Sequence, residues 1–239
     1  MRSKGTTQLS MIKQCIKQEI AQIVTKGNDK LPSERAYCQQ FNTTRVTIKD
    51  VLTALETEGI IYREERRGWF VSPKRIEYNP LSRAHFHHMI DEQKREASTQ
   101  VLTVATEPAL GEVARVLNMD PQVTMIHRIE RLRYVDNRAV LFVENCLIAD
   151  LFPDILKQDL SQSLTTLFQQ HYGYQTGRSR FDVIPTSASK KVAKALHLAE
   201  GQQVLKITRV NYNQQLHLMD CEFEYWRPDS VMLTIDSLS

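Results

Sequence analysis

The sequence predicts an α+β chain in two parts: a small unit of three helices closed by a β-hairpin, then a larger domain with a mainly antiparallel sheet. Three observations carry this. Apolar residues recur at three and four along the first sixty positions and then give way to two short β-rich runs. Further on, helical and extended stretches alternate, with polar turns between paired extended ones. The net charge of +3 is also unevenly placed: residues 1–78 hold 14 Lys and Arg against 9 Asp and Glu, and the rest hold 17 against 19. A basic module joined to a mildly acidic one fits a first part that meets a polyanion.

With 239 residues the chain has room for two modest domains. No apolar run approaches the roughly 20 residues that span a bilayer, so no membrane partner is expected. Nothing apolar follows the charged start Met1-Arg2-Ser3-Lys4-Gly5, so no signal peptide is read and a cytoplasmic protein is expected. Cys15, Cys38, Cys146 and Cys221 lie far apart and form no CxxC pair; we expect them reduced and mostly buried, and no metal or cofactor.

Leu9, Ile12, Ile16, Ile20 and Ile23 form one stripe of a first helix, which Gly27-Asn28-Asp29 ends. Ser33 is a good N-cap for a short second helix with Glu34 at its positive end and Ala36, Tyr37 and Phe41 inside. Thr43 or Thr44 caps a third helix running to about Glu58, expected to bury Val46, Val51, Leu52 and Leu55 before Gly59 stops it. Residues 60–63 and 68–71 read as strands and 64–67 as the tip between them. This order is the winged form of the helix-turn-helix.

Residues 73–80 read as a linker. After them, 100–106 is strand-like and 109–118 helical; 124–134 and 139–147 flank the hairpin turn Asp136-Asn137. Residues 163–171 and 189–197 read as helices, and 181–185, 204–212 and 216–226 as strands. Val113-Ala114-Arg115 with Leu117 parallels Val192-Ala193-Lys194 with Leu196, and Ile129-Glu130-Arg131 parallels Ile207-Thr208-Arg209. A duplicated helix-plus-hairpin unit, with a cleft between the repeats, is expected.

A helix that enters the major groove needs short hydrogen-bonding side chains and cations at its N-terminal end. Thr43, Thr44, Arg45, Thr47 and Lys49 supply them. Ser33 and Arg35 sit at the start of the preceding helix, where an N-terminus suits a phosphate. Arg66, Arg67 and Gly68 lie at the hairpin tip, within reach of a minor groove. In the second domain Arg131 and Arg133, two apart on one strand, point to the same face and suit a dianion.

Leu31-Pro32-Ser33-Glu34-Arg35, Thr44-Arg45-x-Thr47-x-Lys49, Leu55-Glu56-x-Glu58-Gly59-Ile60 and Gly68-Trp69-Phe70-Val71 resemble the GntR family of bacterial regulators, with Lys49 where that family often has Arg. The resemblance implies a homodimer on a palindromic double-stranded DNA operator, with Arg35, Thr44, Arg45, Thr47, Lys49 and Gly68 as DNA contacts. Arg131-Leu132-Arg133 followed by Glu144, then Ser163-Leu164, Tyr172-Gly173 and Tyr225-Trp226-Arg227-Pro228-Asp229, resembles the UTRA domain of the HutC subfamily. That resemblance implies a chorismate-lyase-like fold and a small anionic effector held by Arg131, Arg133, Glu144, Ser163, Thr165, Asp220 and Trp226; the internal repeat favours Glu222 in place of Asp220. Thr165 stands where the family often has Tyr, and whether Asp220 or Glu222 faces the pocket stays open. The domains expected are 1–73 for DNA binding, 74–90 as linker and 91–239 for the effector.

Asn42-Thr43-Thr44-Arg45, Arg66-Arg67-Gly68, Arg138-Ala139-Val140 and Glu224-Tyr225-Trp226-Arg227 further resemble family members that regulate 2-aminoethylphosphonate utilisation. This implies a repressor sensing a phosphonate. The alternatives are a same-family sensor of a sugar phosphate or amino-acid-derived acid and, remotely, a lyase-like enzyme. Neither a Ser-His-Asp order nor a phosphate-cradling Gly loop supports an enzyme, and His85, His87 and His88 are expected at a surface or interface.

Overall fold

The structure, a computed structural model, describes residues 8–25, 29–82, 85–120 and 123–235. Gly27 and Asn28, expected to end the first helix, lie outside the described residues. Two compact units form: Met1–Arg75 with Pro228–Ser230, and Ile76–Arg227 with Val231–Ser239.

The first unit holds α1 (Gln8–Thr25), α2 (Glu34–Gln40), α3 (Arg45–Thr57) and the hairpin β1 (Ile61–Glu64) and β2 (Gly68–Val71). Ile12, Ile16 and Ile20 of α1 pack on Tyr37, Ile48, Val51, Leu52, Leu55, Ile61 and Trp69. The caps are local chemistry. Ser33 Oγ accepts from the Ala36 amide at 3.2 Å, and Thr44 Oγ1 accepts from that of Thr47 at 3.2 Å, each satisfying an otherwise orphaned helix donor. Trp69 Nε1 donates to Glu34 at 3.1 Å, tying the hairpin to α2. One expectation fails here. Val46 is 69% exposed, and Ile48 takes its place in the core. The inner face is set by Ile48, Val51, Leu52 and Leu55 at spacings of three, one and three, which leaves position 46 on the outer side.

Gly59 follows the cap of α3 with φ +71°, in the left-handed region that an L side chain enters at a cost. A Cβ there would also meet the Arg75 guanidinium at 2.1 Å, so that flexible side chain would have to move. We expect Gly59→Ala to lower the stability of the chain by about 1–2 kcal/mol in urea denaturation; an unchanged midpoint would contradict this account of the helix stop.

The second unit is built on a six-stranded antiparallel sheet. Its strands are β4 (Ala97–Pro108), β5 (Met125–Val135), β6 (Arg138–Ile148), β7 (Thr176–Ser187), β8 (Gln203–Asn213) and β9 (Leu218–Trp226). Their spatial order is β4-β5-β6-β9-β8-β7. The expected duplication is present and larger than a helix plus a hairpin. Each repeat is strand, helix, hairpin: β4, α5 (Glu112–Leu117), β5-β6, and β7, α7 (Lys190–Leu196), β8-β9. Asp136 and Asn137 both have positive φ, as a two-residue turn matching strand twist requires.

On one face of the sheet lie α5 and α7, and they are exchanged. Val113 and Leu117 of α5 pack with Val210, Cys221 and Phe223 of the second hairpin as well as Ile126, Cys146 and Ile148 of their own, whereas Val192, Ala193 and Leu196 of α7 pack with Leu132, Ala139 and Phe142 of the first. The other face carries two separate apolar clusters. One gathers β3 (Ile76–Tyr78) and α4 (Phe86–Glu92) over Leu141, Val143, Ile207 and Trp226. The other gathers α6 (Leu164–Tyr172) over Ile129, Leu147 and Met219.

Residues 74–90, read as a linker, are not an unstructured tether. Ile76, Glu77 and Tyr78 pair in parallel with Val231, Met232 and Leu233 of β10 (Val231–Leu233), and Ile76, Tyr78, Phe86 and Ile90 are buried. A three-residue strand and a two-turn helix are too short to show periodicity, so the sequence did not reveal them. Of the cysteines, Cys146 and Cys221 are buried as expected, but Cys15 is exposed and Cys38 half-buried; all four are free.

Candidate functional site

Two groups of residues present chemistry. The first lies on the helix-turn-helix. Arg35 of α2 and Arg45 and Lys49 of α3 are exposed, as are Ser33 and Thr44 at the two caps. Thr43 and Thr47 are half-buried, and the Thr44 and Thr47 hydroxyls lie 3.0 Å apart. Two exposed cations, Arg45 and Lys49, therefore stand near the positive end of α3. At the hairpin tip Arg66 is exposed with φ 63°, and Gly68, half-buried, has φ 110°. Arg67 is more constrained than expected: it forms an ion pair with the buried Glu64, and its guanidinium lies 5.5 Å from the Phe70 ring centroid. Glu64 is the last residue of β1, not part of the tip.

The second group lines a cavity of about 610 Å³ between the two apolar clusters of the sheet's outer face. Arg131, Arg133, Ser163, Thr165, Asp220, Glu222 and Trp226 all line it, so both acidic candidates face the same space. Glu144 does not. It pairs with Glu130 in register, which sets both on the opposite face from Arg131, and there both bind Lys191 of α7, Glu144 at 3.2 Å. The resemblance misled on Glu144, whereas Glu222, the position the internal repeat favours, does line the cavity, because the two hairpins differ by one position. Arg131 stands opposite Val143, whereas Arg209 stands opposite Glu222. The second hairpin turns through a longer loop, and a one-residue shift moves every side chain to the other face.

The two arginines have different duties. Arg131 is 2% exposed, and its donors are engaged: Nε to Asn145 Oδ1 at 3.0 Å, and Nη1 to the carbonyls of Leu160 and Gln162 at 3.4 and 3.1 Å. It fixes the loop leading into Ser163, which caps α6 by accepting from the Thr166 amide at 3.3 Å. Burial, then the neighbouring Arg133 charge, lowers its pKa to about 9, so it stays protonated at neutral pH. Arg133 lies with its guanidinium 4.7 Å from the Phe86 ring centroid, and its buried Nε has no hydrogen-bond partner. Burial pulls its pKa down further than Glu222 and Glu224 raise it.

Facing these cations is a chain of carboxyls. Glu222 accepts from Asn145 at 2.9 Å and from Arg209 and Asn211 at 3.2 Å each. Burial opposes its ionisation, but Arg209, Arg133 and Arg131 outweigh burial and hold its pKa low. Glu224 accepts from Trp226 Nε1 at 2.7 Å and from the Tyr78 hydroxyl at 3.4 Å. Burial and the Glu222 charge push it toward the neutral acid. Asp220 accepts from Asn211 at 2.8 Å while its Oδ1 is unpaired; burial and Glu222 raise it to about 7.

A carboxyl raised in the fold binds its proton more tightly folded than unfolded. Its contribution is therefore complete below the unfolded value near 4 and is lost as pH rises toward 7. We expect Asp220→Asn to leave stability almost unchanged at pH 4 and to increase it progressively up to pH 7 and above. Urea melts of both proteins from pH 4 to 8 measure this; a pH-independent difference would refute the raised pKa.

Arg209, Asn145, Glu224, Tyr78, His85 and His87 also line the cavity and were not anticipated. Arg209 was within reach, since the repeat Ile129-Glu130-Arg131 and Ile207-Thr208-Arg209 aligns it with Arg131. His85 and His87 face the cavity instead of a plain surface, with ring nitrogens 3.4 Å from Thr166 and 2.9 Å from Thr99. Burial, followed by nearby positive charge, lowers both pKa values. Among the described residues no group of three or more His, Cys, Asp or Glu could hold a metal, and no helix is long and apolar enough to cross a membrane.

A winged helix-turn-helix with an exposed cationic helix, in one chain with a domain that holds a polar cavity, is the arrangement of a transcriptional regulator. Comparison with known proteins makes this specific: residues 8–71 match the model of the bacterial regulatory proteins of the gntR family, and residues 92–231 match the UTRA domain. The chain belongs to the gntR family and carries a UTRA domain. It is 26% identical to the uncharacterized HTH-type transcriptional regulator YihL of Escherichia coli K12, over 89% of this chain and 90% of that protein. It is 24% identical to the mannosyl-D-glycerate transport/metabolism system repressor MngR of the same organism, over 81% of each. Among solved structures, PhnF from Mycobacterium smegmatis shares the fold with a TM-score of 0.65 and 21% identity, covering 88% of this chain and 92% of PhnF. These families and relatives are transcriptional regulators, not enzymes.

Proposed function

We propose that this regulator is a homodimeric repressor that holds a palindromic operator through α3 and the β1-β2 tip and releases it when a small anion fills the cavity. One observation carries the anionic reading. Three guanidiniums, Arg131, Arg133 and Arg209, face one carboxylate held ionised, Glu222, and two carboxyls pushed toward neutrality. The cavity is thus short of negative charge, and the Arg133 Nε is short of an acceptor. The first turn of α6 adds amides and the Ser163 and Thr165 hydroxyls at the same wall, a favourable place for phosphate or phosphonate oxygens. Ligand acts on DNA affinity only through its different affinities for the two states of the dimer.

The resemblance to regulators of phosphonate utilisation makes 2-aminoethylphosphonate the first effector to test: its dianion suits Arg133 and its ammonium suits Asp220 and Glu222. A second reading is a larger sugar phosphate or sugar-derived acid. It is favoured by the cavity, which at about 610 Å³ exceeds what aminoethylphosphonate fills. It is favoured also by MngR, named for mannosyl-D-glycerate. Thermal unfolding with 2-aminoethylphosphonate, phosphonoacetaldehyde, glucosamine-6-phosphate, urocanate, inorganic phosphate and simple amino acids separates them. A ligand at 100 times its Kd stabilises by about 2.7 kcal/mol. Stabilisation by 2-aminoethylphosphonate supports the phosphonate reading, stabilisation by another acid alone replaces it, and no response to any anion overturns the anionic site.

A further inference from the structure

Val46 is the most exposed large hydrophobic side chain among the described residues of the first unit. It occupies the first turn of α3, between the exposed Arg45 and the half-buried Thr47, one turn before the exposed Lys49. Nothing in the fold calls for it. The core face of α3 is complete with Ile48, Val51, Leu52 and Leu55, and valine favours a helix less than alanine does. Single exposed apolar residues are ordinary on protein surfaces. What distinguishes this one is its place, flanked by cations at the end of the helix that a helix-turn-helix presents to base edges.

In the major groove, a base pair offers one apolar group to such a side chain: the C5-methyl of thymine. We propose that Val46 reads a thymine methyl in each operator half-site, and so sets sequence preference at a position that no hydrogen bond specifies. The inference rests on α3 being the DNA-reading helix. Arg45 and Lys49 supply charge to phosphates or guanine, and the valine methyls, between them, exclude water from the thymine methyl.

The test uses the full chain and a duplex selected by it from a random library. Each thymine is replaced in turn by deoxyuridine, which removes only the methyl, and Kd is read by fluorescence anisotropy at fixed salt. Burying one methyl is worth about 0.8 kcal/mol, or roughly fourfold in Kd. One thymine per half-site is expected to show this loss with the wild-type protein. Val46→Ala, which removes the contact from both half-sites, is expected to weaken binding to the unmodified site by roughly fifteenfold and to show no further loss with deoxyuridine there. Because position 46 is exposed, its thermal unfolding should match the wild type, confirming that the fold is intact. If Val46→Ala binds as tightly as wild type, or keeps the full methyl sensitivity at every thymine, the proposal is overturned while DNA reading by α3 stands. If the wild-type chain selects no sequence, that reading fails and the proposal with it.

Discussion

Arg133→Ala is expected to remove most of the stabilisation that the proposed anionic effector would give the wild-type protein. Arg133 is a half-buried cation that its own fold leaves partly uncompensated, with Phe86 against its guanidinium and no acceptor for its buried Nε. An incoming anion supplies that acceptor. Removing one member of a buried, hydrogen-bonded charge pair costs about 2–5 kcal/mol, or roughly thirtyfold to several-thousandfold in Kd. The companion variant Arg131→Ala should behave differently. It removes the donors to Asn145, Leu160 and Gln162, so it should lower the melting temperature even without ligand. Arg133→Ala should leave the unliganded melting temperature nearly unchanged, because burial already works against its charge. Calorimetric titration of both variants separates the roles. A full ligand response in Arg133→Ala would remove Arg133 from the site.

The second large effect concerns DNA. Arg45 is exposed at the N-terminal end of α3, and a guanidinium there can take guanine O6 and N7 together. We expect Arg45→Ala to weaken operator binding by about 1–3 kcal/mol per half-site and to relax the base preference at one position. Lys49→Ala, if Lys49 meets phosphate, should instead weaken all sequences alike and reduce the salt slope by about one. Competition binding against operator variants at several salt concentrations measures both. Loss of affinity without loss of preference in Arg45→Ala would reassign Arg45 to the phosphate backbone.

Most of the fold was legible, and the exceptions have physical causes. The helix-turn-helix was readable because its caps, turn residues and apolar stripe agree with one another, down to Ser33 and Gly59. Val46 misled because a β-branched apolar residue one turn into a helix looks like core until the neighbours at 48, 51, 52 and 55 define the inner face. In the second unit, β4 and β7 are half-exposed edge strands with little alternation, so each was read shorter than it is. For the cavity, a period of two along β5 correctly set Arg131 and Arg133 on one face, but it could not tell that Arg131 is consumed by the loop before α6. Glu144 was misplaced because hairpin register depends on loop length, which a motif resemblance does not reveal. His85 and His87 reach the cavity through tertiary packing of a helix too short to be seen.

The exchange of α5 and α7 between the two hairpins bears on how the chain is made. While a ribosome is still extending the chain, Val113 and Leu117 can close only against Ile126, Cys146 and Ile148 of their own hairpin; Val210, Cys221 and Phe223, which complete that cluster, emerge about a hundred residues after the helix. Neither repeat therefore completes its core alone, and the order β4-β5-β6-β9-β8-β7 brings the halves together only at the β6-β9 seam, late in synthesis. Loop closure over such separations makes folding slow and leaves apolar helix faces open to chaperones meanwhile. The winged unit has no such dependence for its main core, whose residues all lie between Ile12 and Trp69, and it can form while the sensor is still being translated. The nascent polypeptide would then gain a nucleic-acid-reading surface before the domain that governs it is complete.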